Sequence, residues 1–272
     1  MLPSFFIAHG APSLAIEQHA YTEFLRKLAV SMPRPKAIVL FSAHWESRVQ
    51  QISSAIQLET IYDFSGFPEE LYAIKYPAKG DLTLSLHIQQ LFQDEGIDCE
   101  LNDHRGLDHG AWALLHIMYP DASIPVVALS VNPKLTPEEH YRIGAALAPL
   151  REEQVLIIGS GGTVHNLRRL DRRNPAPQVW ALKFDEWLGE QLETWNLEAL
   201  FSYEDRAPFA AEAVPTPEHF APLLLALGAA DSSHKARLLH HSFQMGTLSL
   251  SCWMFGAEGN ETEPVVDDES KD

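Results

Sequence analysis

The chain has 272 residues, of which 46% are hydrophobic and 21% charged, an ordinary globular balance that excludes collagen-like, repeat and low-complexity architectures. A net charge of −17, gathered in part in the acidic stretch 257–272, disfavours nucleic acid as a partner, because phosphate binding needs clustered Lys and Arg. The one dense basic run, Arg168-Arg169 with Arg172-Arg173, reads as a solvated helix end or loop.

The two cysteines, Cys99 and Cys252, lie far apart and outside any CxxC spacing, so neither a disulfide framework nor a thiolate zinc site is expected, and a reducing cytoplasm fits. No basic segment leading into an apolar one opens the chain, and no apolar run is long enough to span a bilayer, so no membrane partner is expected.

Phe5–Ala8 is a short apolar run ending in His9-Gly10, and reads as a buried strand followed by a turn. Tyr21, Phe24, Leu25 and Leu28 recur at helical spacing within residues 17–30, and Pro33-Arg34-Pro35 stops that helix. Ala37–Ala43 is a second buried strand, ending in His44. The strand–helix–strand order predicts parallel pairing of the two strands, with His9 and His44 at one sheet edge. Gln51–Leu58 reads as another strand, residues 61–68 as an aromatic loop, and Leu82–Phe92 as a helix with His87 on its surface.

A polar loop over 102–112 carries Asp108-His109-Gly110 and leads into an apolar helix over 113–119, for which Asp108 is a candidate cap. Ile124–Val131 is a strand, and Thr136-Pro137-Glu138-Glu139 opens a helix. Val155–Ile158 is a strand breaking into Gly159-Ser160-Gly161-Gly162. No phosphate-loop pattern accompanies these glycines, so they are expected to turn the backbone and place His165-Asn166. Trp180–Leu192 is an amphipathic helix. Thr216-Pro217-Glu218-His219 opens the last clear helix, with Thr216 as cap and His219 at its third position. Met245–Phe255 is strand-like, and residues 257–272 read as a disordered acidic tail.

A lone histidine at a turn ordinarily bonds to backbone. Histidines following three separate buried strands instead place imidazoles along the carboxyl ends of a parallel sheet, where open α/β folds bind ligands. Imidazole clusters suit a divalent metal.

Six ordered motifs carry a resemblance: residues 7–12 (IAHGAP), 42–45 (SAHW), 61–68 (IYDFSGFP), 106–112 (GLDHGAW), 159–167 (GSGGTVHNL) and 216–219 (TPEH). Together they resemble the 4,5-DOPA extradiol dioxygenase family, within the class III (LigB-like) extradiol ring-cleaving enzymes. The resemblance implies one LigB-like domain over residues 1–256, a single-domain three-layer α/β/α fold with a largely parallel central sheet. It also implies a single non-haem divalent metal, Fe(II) for turnover, with Zn(II) fitting a resting form. His9, His44 and His219 are the implied ligands, with His165 either a fourth ligand or an acid–base group and His109 a second acid–base candidate. Glu218 is the neighbouring alternative to His219, because the wider class uses two histidines and one carboxylate.

The implied partners are O2 and a small substituted catechol such as DOPA. Trp45, Tyr62, Phe64, Phe67 and Trp112 are candidate walls around its ring. Two other readings share these residues: a zinc hydrolase, which would work without oxygen, and a LigB-like binding protein without turnover.

Overall fold

The computed structural model describes residues 1–171, 173 and 176–256. The stretch 257–272, expected as a disordered tail, lies outside the described residues. Eight strands form one mixed sheet: β1 (Ser4–Ala8), β2 (Ala37–Glu46), β3 (Gln50–Ser53), β4 (Cys99–Asn102), β5 (Val126–Val131), β6 (Val155–Gly161), β7 (Ala236–His240) and β10 (Cys252–Phe255). Their spatial order is β4-β3-β5-β2-β6-β1-β10-β7, and a separate short pair joins β8 (Phe243–Gln244) to β9 (Leu248–Ser249).

The four central strands β5, β2, β6 and β1 run parallel and are buried on both faces. Successive side chains of a strand point to opposite faces, so each central strand feeds two cores. Ile38, Leu40, Val126, Ala128, Leu156 and Ile158 join one apolar layer with the helices Ala20–Ser31 and His109–Met118. Val39, Phe41, Val127, Leu129, Val155 and Ile157 join the other with the helices Leu82–Asp94 and Pro137–Ala146. This is the expected α/β sheet between helical layers. No helix among the described residues is long and apolar enough to cross a membrane.

Four expectations are corrected. First, β1 and β2 are parallel but unpaired, because β6 lies between them and pairs with both. A crossover connection fixes the direction of the next strand without making it a neighbour. Second, the Gln51–Leu58 strand contracts to Gln50–Ser53, while β4 and β7 form without having been expected. Both are edge strands, largely half-buried, and lack the continuous apolar run of a central strand.

Third, Gly159 and Gly161 do not turn the chain. They lie within β6, and a Cβ at Gly159 would sit 2.0 Å from the carbonyl oxygen of Pro222, and one at Gly161 2.2 Å from that of His219. These glycines let the backbone of residues 217–228 pack directly on the strand. Fourth, Thr216-Pro217-Glu218-His219 is a 3-10 turn over Pro217–His219, and the α-helix spans Ala221–Gly228. Pro222 has no N–H to bond the carbonyl of Glu218, which prevents one continuous helix. The Thr216 hydroxyl accordingly donates to Glu218 Oε1 at 2.8 Å instead of capping backbone.

At the amino ends of the parallel strands, buried Arg151 donates to the carbonyls of Leu2, Ala229 and Gly256 at 2.7, 2.9 and 2.8 Å. This clamp joins the chain just before β1, the residue after the helix Ala221–Gly228 and the residue after β10.

Gly159→Ala tests the close packing on β6. Placing a methyl 2.0 Å from a carbonyl oxygen should cost at least about 2 kcal/mol, read as a lowered urea midpoint with an unchanged m value.

Candidate metal centre

Every site histidine lies at the carboxyl-end side of the central strands. His9 follows β1, and His44 lies near the end of β2. The register pairs Ala8 with Gly161 and Ser42 with Ser160, so these two histidines flank β6 at nearly one height. His109 is the first residue of its helix, whose N-cap is Asp108, with Asp108 accepting from the N–H of Ala111. His165 follows β6, its N–H bonded to the carbonyl of Ala213 at 2.9 Å. His219 is carried in by the backbone packed on Gly161, where Gly162 N–H donates to His219 O at 2.9 Å.

Three of the imidazoles converge edge to edge. His9 Nε2 lies 3.0 Å from His44 Nε2, and His44 Nε2 lies 3.3 Å from His219 Nε2. Adjacent ligands on one ion at about 2.1 Å are about 3.0–3.4 Å apart, between octahedral and tetrahedral geometry, so these separations fit a shared cation. His109 stands with its ring centroid 4.0 Å from that of His44. His165 is stacked on His219 at 3.5 Å with an interplanar angle of 7°. An ion in the plane of the His219 ring would therefore lie well out of the plane of the His165 ring. Potential ligand atoms fall into two close groups, His9 with His44 and His109, and His165 with Glu218 and His219.

Residues around His9, His44, His109 and His219 face their Nδ1 atoms. Glu218 Oε1 accepts from His219 Nδ1 at 2.9 Å. Both Asp63 oxygens lie 3.0 Å from His109 Nδ1, Oδ1 also accepts from the His109 N–H, and Oδ2 faces His44 Nδ1 at 3.4 Å. His9 Nδ1 meets Ser160 Oγ at 2.9 Å. Outer partners of this kind fix ligand histidines and raise their basicity.

A second layer braces the strands. Ser42 Oγ donates to Asp108 Oδ1 at 2.5 Å, and Arg105 donates to Asp108 Oδ2 at 2.7 Å and to the carbonyl of His44 at 3.2 Å. Asp63, Asp108 and Ser160 were not among the expected site residues. The signal available for Asp63 was a carboxylate inside a motif loop, together with the rule that a ligand histidine needs an acceptor for its second nitrogen.

The electrostatics suit a cation. Burial pushes His9 well below the usual imidazole value. Burial, with His109 and His219 nearby, lowers His44 to about 2, and burial with His219 beside it lowers His165 to about 3. Against burial, which raises them, the hydrogen bond from His109 brings Asp63 to about 2, and that from His219 brings Glu218 to about 2. His9, His44 and His165 are therefore neutral imidazoles beside the ionised carboxylates Asp63 and Glu218, the protonation states that metal binding requires.

A cavity of about 820 Å³ opens beside the cluster. His44, His109, His165 and His219 line it, with Phe64, Phe67, Pro12 and Leu248 supplying apolar wall. Of the five aromatics expected as walls around a substrate, Phe64 and Phe67 line the cavity. Trp112 is fully buried behind Phe64 and donates to the carbonyl of Ile61, while the Tyr62 hydroxyl donates to that of Ile74. Trp45 is buried with the Arg105 guanidinium 5.2 Å from its ring centroid. None of these three lines the cavity, though Tyr62 and Trp112 pack against Phe64. Arg168 and Arg169, read as a solvated loop, are exposed but also border the cavity.

Sheet and cluster together define the class: an α/β protein with an imidazole-rich, divalent-metal type of centre at its strand ends. The chain belongs to the LigB family, whose profile, described as the catalytic LigB subunit of aromatic ring-opening dioxygenase, matches residues 3–256. It is 42% identical over 257 residues to a 4,5-DOPA dioxygenase extradiol of Beta vulgaris, covering 93% of this chain and 96% of that one. It is 37% identical to the protein of that name from Escherichia coli K12, covering 92% and 93%. A crystal structure of an uncharacterised Escherichia coli K12 protein superposes with a TM-score of 0.80 at 34% identity, covering 94% of this chain and all of that one.

Neutral buried histidines make the metal-free protein acid-sensitive. His44, His165 and His140, lowered to about 2, 3 and 4, take protons on unfolding at any pH below about 6.5. The unfolded state then binds more protons, so stability is full above about pH 6.5 and falls as pH drops toward the folded values. Urea unfolding between pH 7.5 and 4.5 should show this slope, and His140→Gln should flatten it by up to about one proton.

Proposed function

We propose that the protein is an extradiol dioxygenase that opens a substituted catechol with O2, with His9, His44 and His219 as metal ligands. The observation that carries this reading is the convergence of three Nε2 atoms, at 3.0 and 3.3 Å, beside an aromatic-lined cavity. Fe(II) bound there supplies a Lewis acid for two vicinal phenolic oxygens and the electrons for oxygen activation. Zn(II) suits the same neutral imidazoles as a resting form. The names of the relatives make DOPA the first substrate to try.

The chain's own residues do the rest. Phe64 and Phe67 exclude water from one side of the ring and hold it flat. Asp63 keeps His109 Nδ1 engaged, leaving Nε2 to accept a catechol proton. His165, neutral and stacked on His219, carries a proton to or from the opening ring. Its parallel stacking favours this acid–base role over that of a fourth ligand. Both oxygen atoms enter the product as a ring carbon–carbon bond beside the diol breaks.

Oxygen uptake by Fe(II)-loaded protein should accompany formation of a yellow ring-opened product from catechols and be absent with the matching monophenols, which cannot chelate through two oxygens. His44→Ala should lose bound metal. His165→Ala should keep most of it and lose turnover by at least about 100-fold. Equal rates on both phenol classes, or zinc-dependent hydrolysis under anaerobiosis with no catechol activity, would overturn the assignment.

A further inference from the structure

Ser160 Oγ lies 2.9 Å from His9 Nδ1 and 2.5 Å from the carbonyl oxygen of Gly110. A hydroxyl has one proton, and a carbonyl oxygen only accepts. Two oxygens 2.5 Å apart need that proton between them, so Ser160 donates to Gly110 and meets His9 with lone pairs. His9 Nδ1 must then be the donor. Ser160 is fully buried and His9 nearly so, and both hydrogen bonds of the Ser160 hydroxyl find their partners within the protein.

The carbonyl itself is pinned. A Cβ on Gly110 would come within 2.9 Å of Ser42 Oγ, 3.1 Å of His44 Cδ2 and 3.2 Å of Asp108 Oδ1, so this turn is packed directly against its neighbours.

We propose that Ser160 is a positioning residue that locks His9 in its Nδ1–H tautomer, through the one-way chain from His9 to Ser160 to Gly110. The consequence lies on the other side of the ring. In the opposite tautomer, His9 Nε2–H would point at His44 Nε2, only 3.0 Å away, and close the cluster on itself with an internal hydrogen bond. Ser160 prevents that closure, so His9 offers a lone pair where His44 and His219 offer theirs. The tautomer follows from the hydrogen bonds alone, whereas its effect on affinity rests on the reading of His9 as a metal ligand.

Two measurements test this separately. In metal-free, ¹⁵N-histidine-labelled protein, two-bond ¹H–¹⁵N correlations, assigned through His9→Gln, should show His9 protonated at Nδ1 and bare at Nε2. A His9 protonated at Nε2 overturns the proposal, whatever the metal does. Ser160→Ala, compared with wild type by competition for zinc against a chromophoric chelator, should bind zinc about 10–100-fold more weakly. Its His9 signals should shift toward the Nε2–H pattern, with circular dichroism checking the fold. Unchanged zinc affinity in folded Ser160→Ala overturns the proposal. Wild-type protein that shows the Nδ1–H pattern but binds no zinc overturns the metal reading and leaves the relay standing.

Discussion

The direct packing of residues 217–228 on β6 is the contact on which the centre depends. Gly159 and Gly161 leave the strand bare where the carbonyls of Pro222 and His219 cross it. With side chains at either place the helix would stand off, and His219 with it. The same strand pairs with β1 on one side and β2 on the other, so it also sets the heights of His9 and His44. The small-residue end of one strand thus gathers three imidazoles from distant parts of the chain. Ser160, between the two glycines, holds the first of them.

Burial then does chemical work that the residue types alone would not. An exposed imidazole changes charge near neutral pH, but these rings are enclosed beside one another and held neutral. The compensating charge sits one step outside, on Asp63 and Glu218, each fixed as a carboxylate by the histidine it serves. Asp63 faces both His44 and His109. One carboxylate therefore joins these two rings from outside the cluster.

The central strands were legible because a strand buried on both faces must be apolar throughout, as in Val155–Ile158 and Ala37–Phe41. Their order was not, since it depends on which faces fit together. That is why β6 between β1 and β2 was invisible from a crossover pattern. Asp108 capping its helix and the Thr136 capping box were readable because they use neighbouring residues only. Thr216 misled for the same reason, its local signal being overridden by Pro222 six residues on. The histidines could be picked out as a set, but Ser160 could not, because an acceptor serving a ring far away in sequence leaves no local pattern, and Asp63 offered only its place in a motif loop.

The Arg151 clamp has a bearing on how the molecule can be handled. Leu2 and Gly256 meet at the same guanidinium, at the amino ends of the parallel strands, whereas the histidines lie at the carboxyl ends. The pole that carries these chain positions therefore faces away from the cavity mouth. Anchored to a bead or an electrode through that pole, the protein would present its opening to the bulk solution, with the length of the central strands between tether and centre.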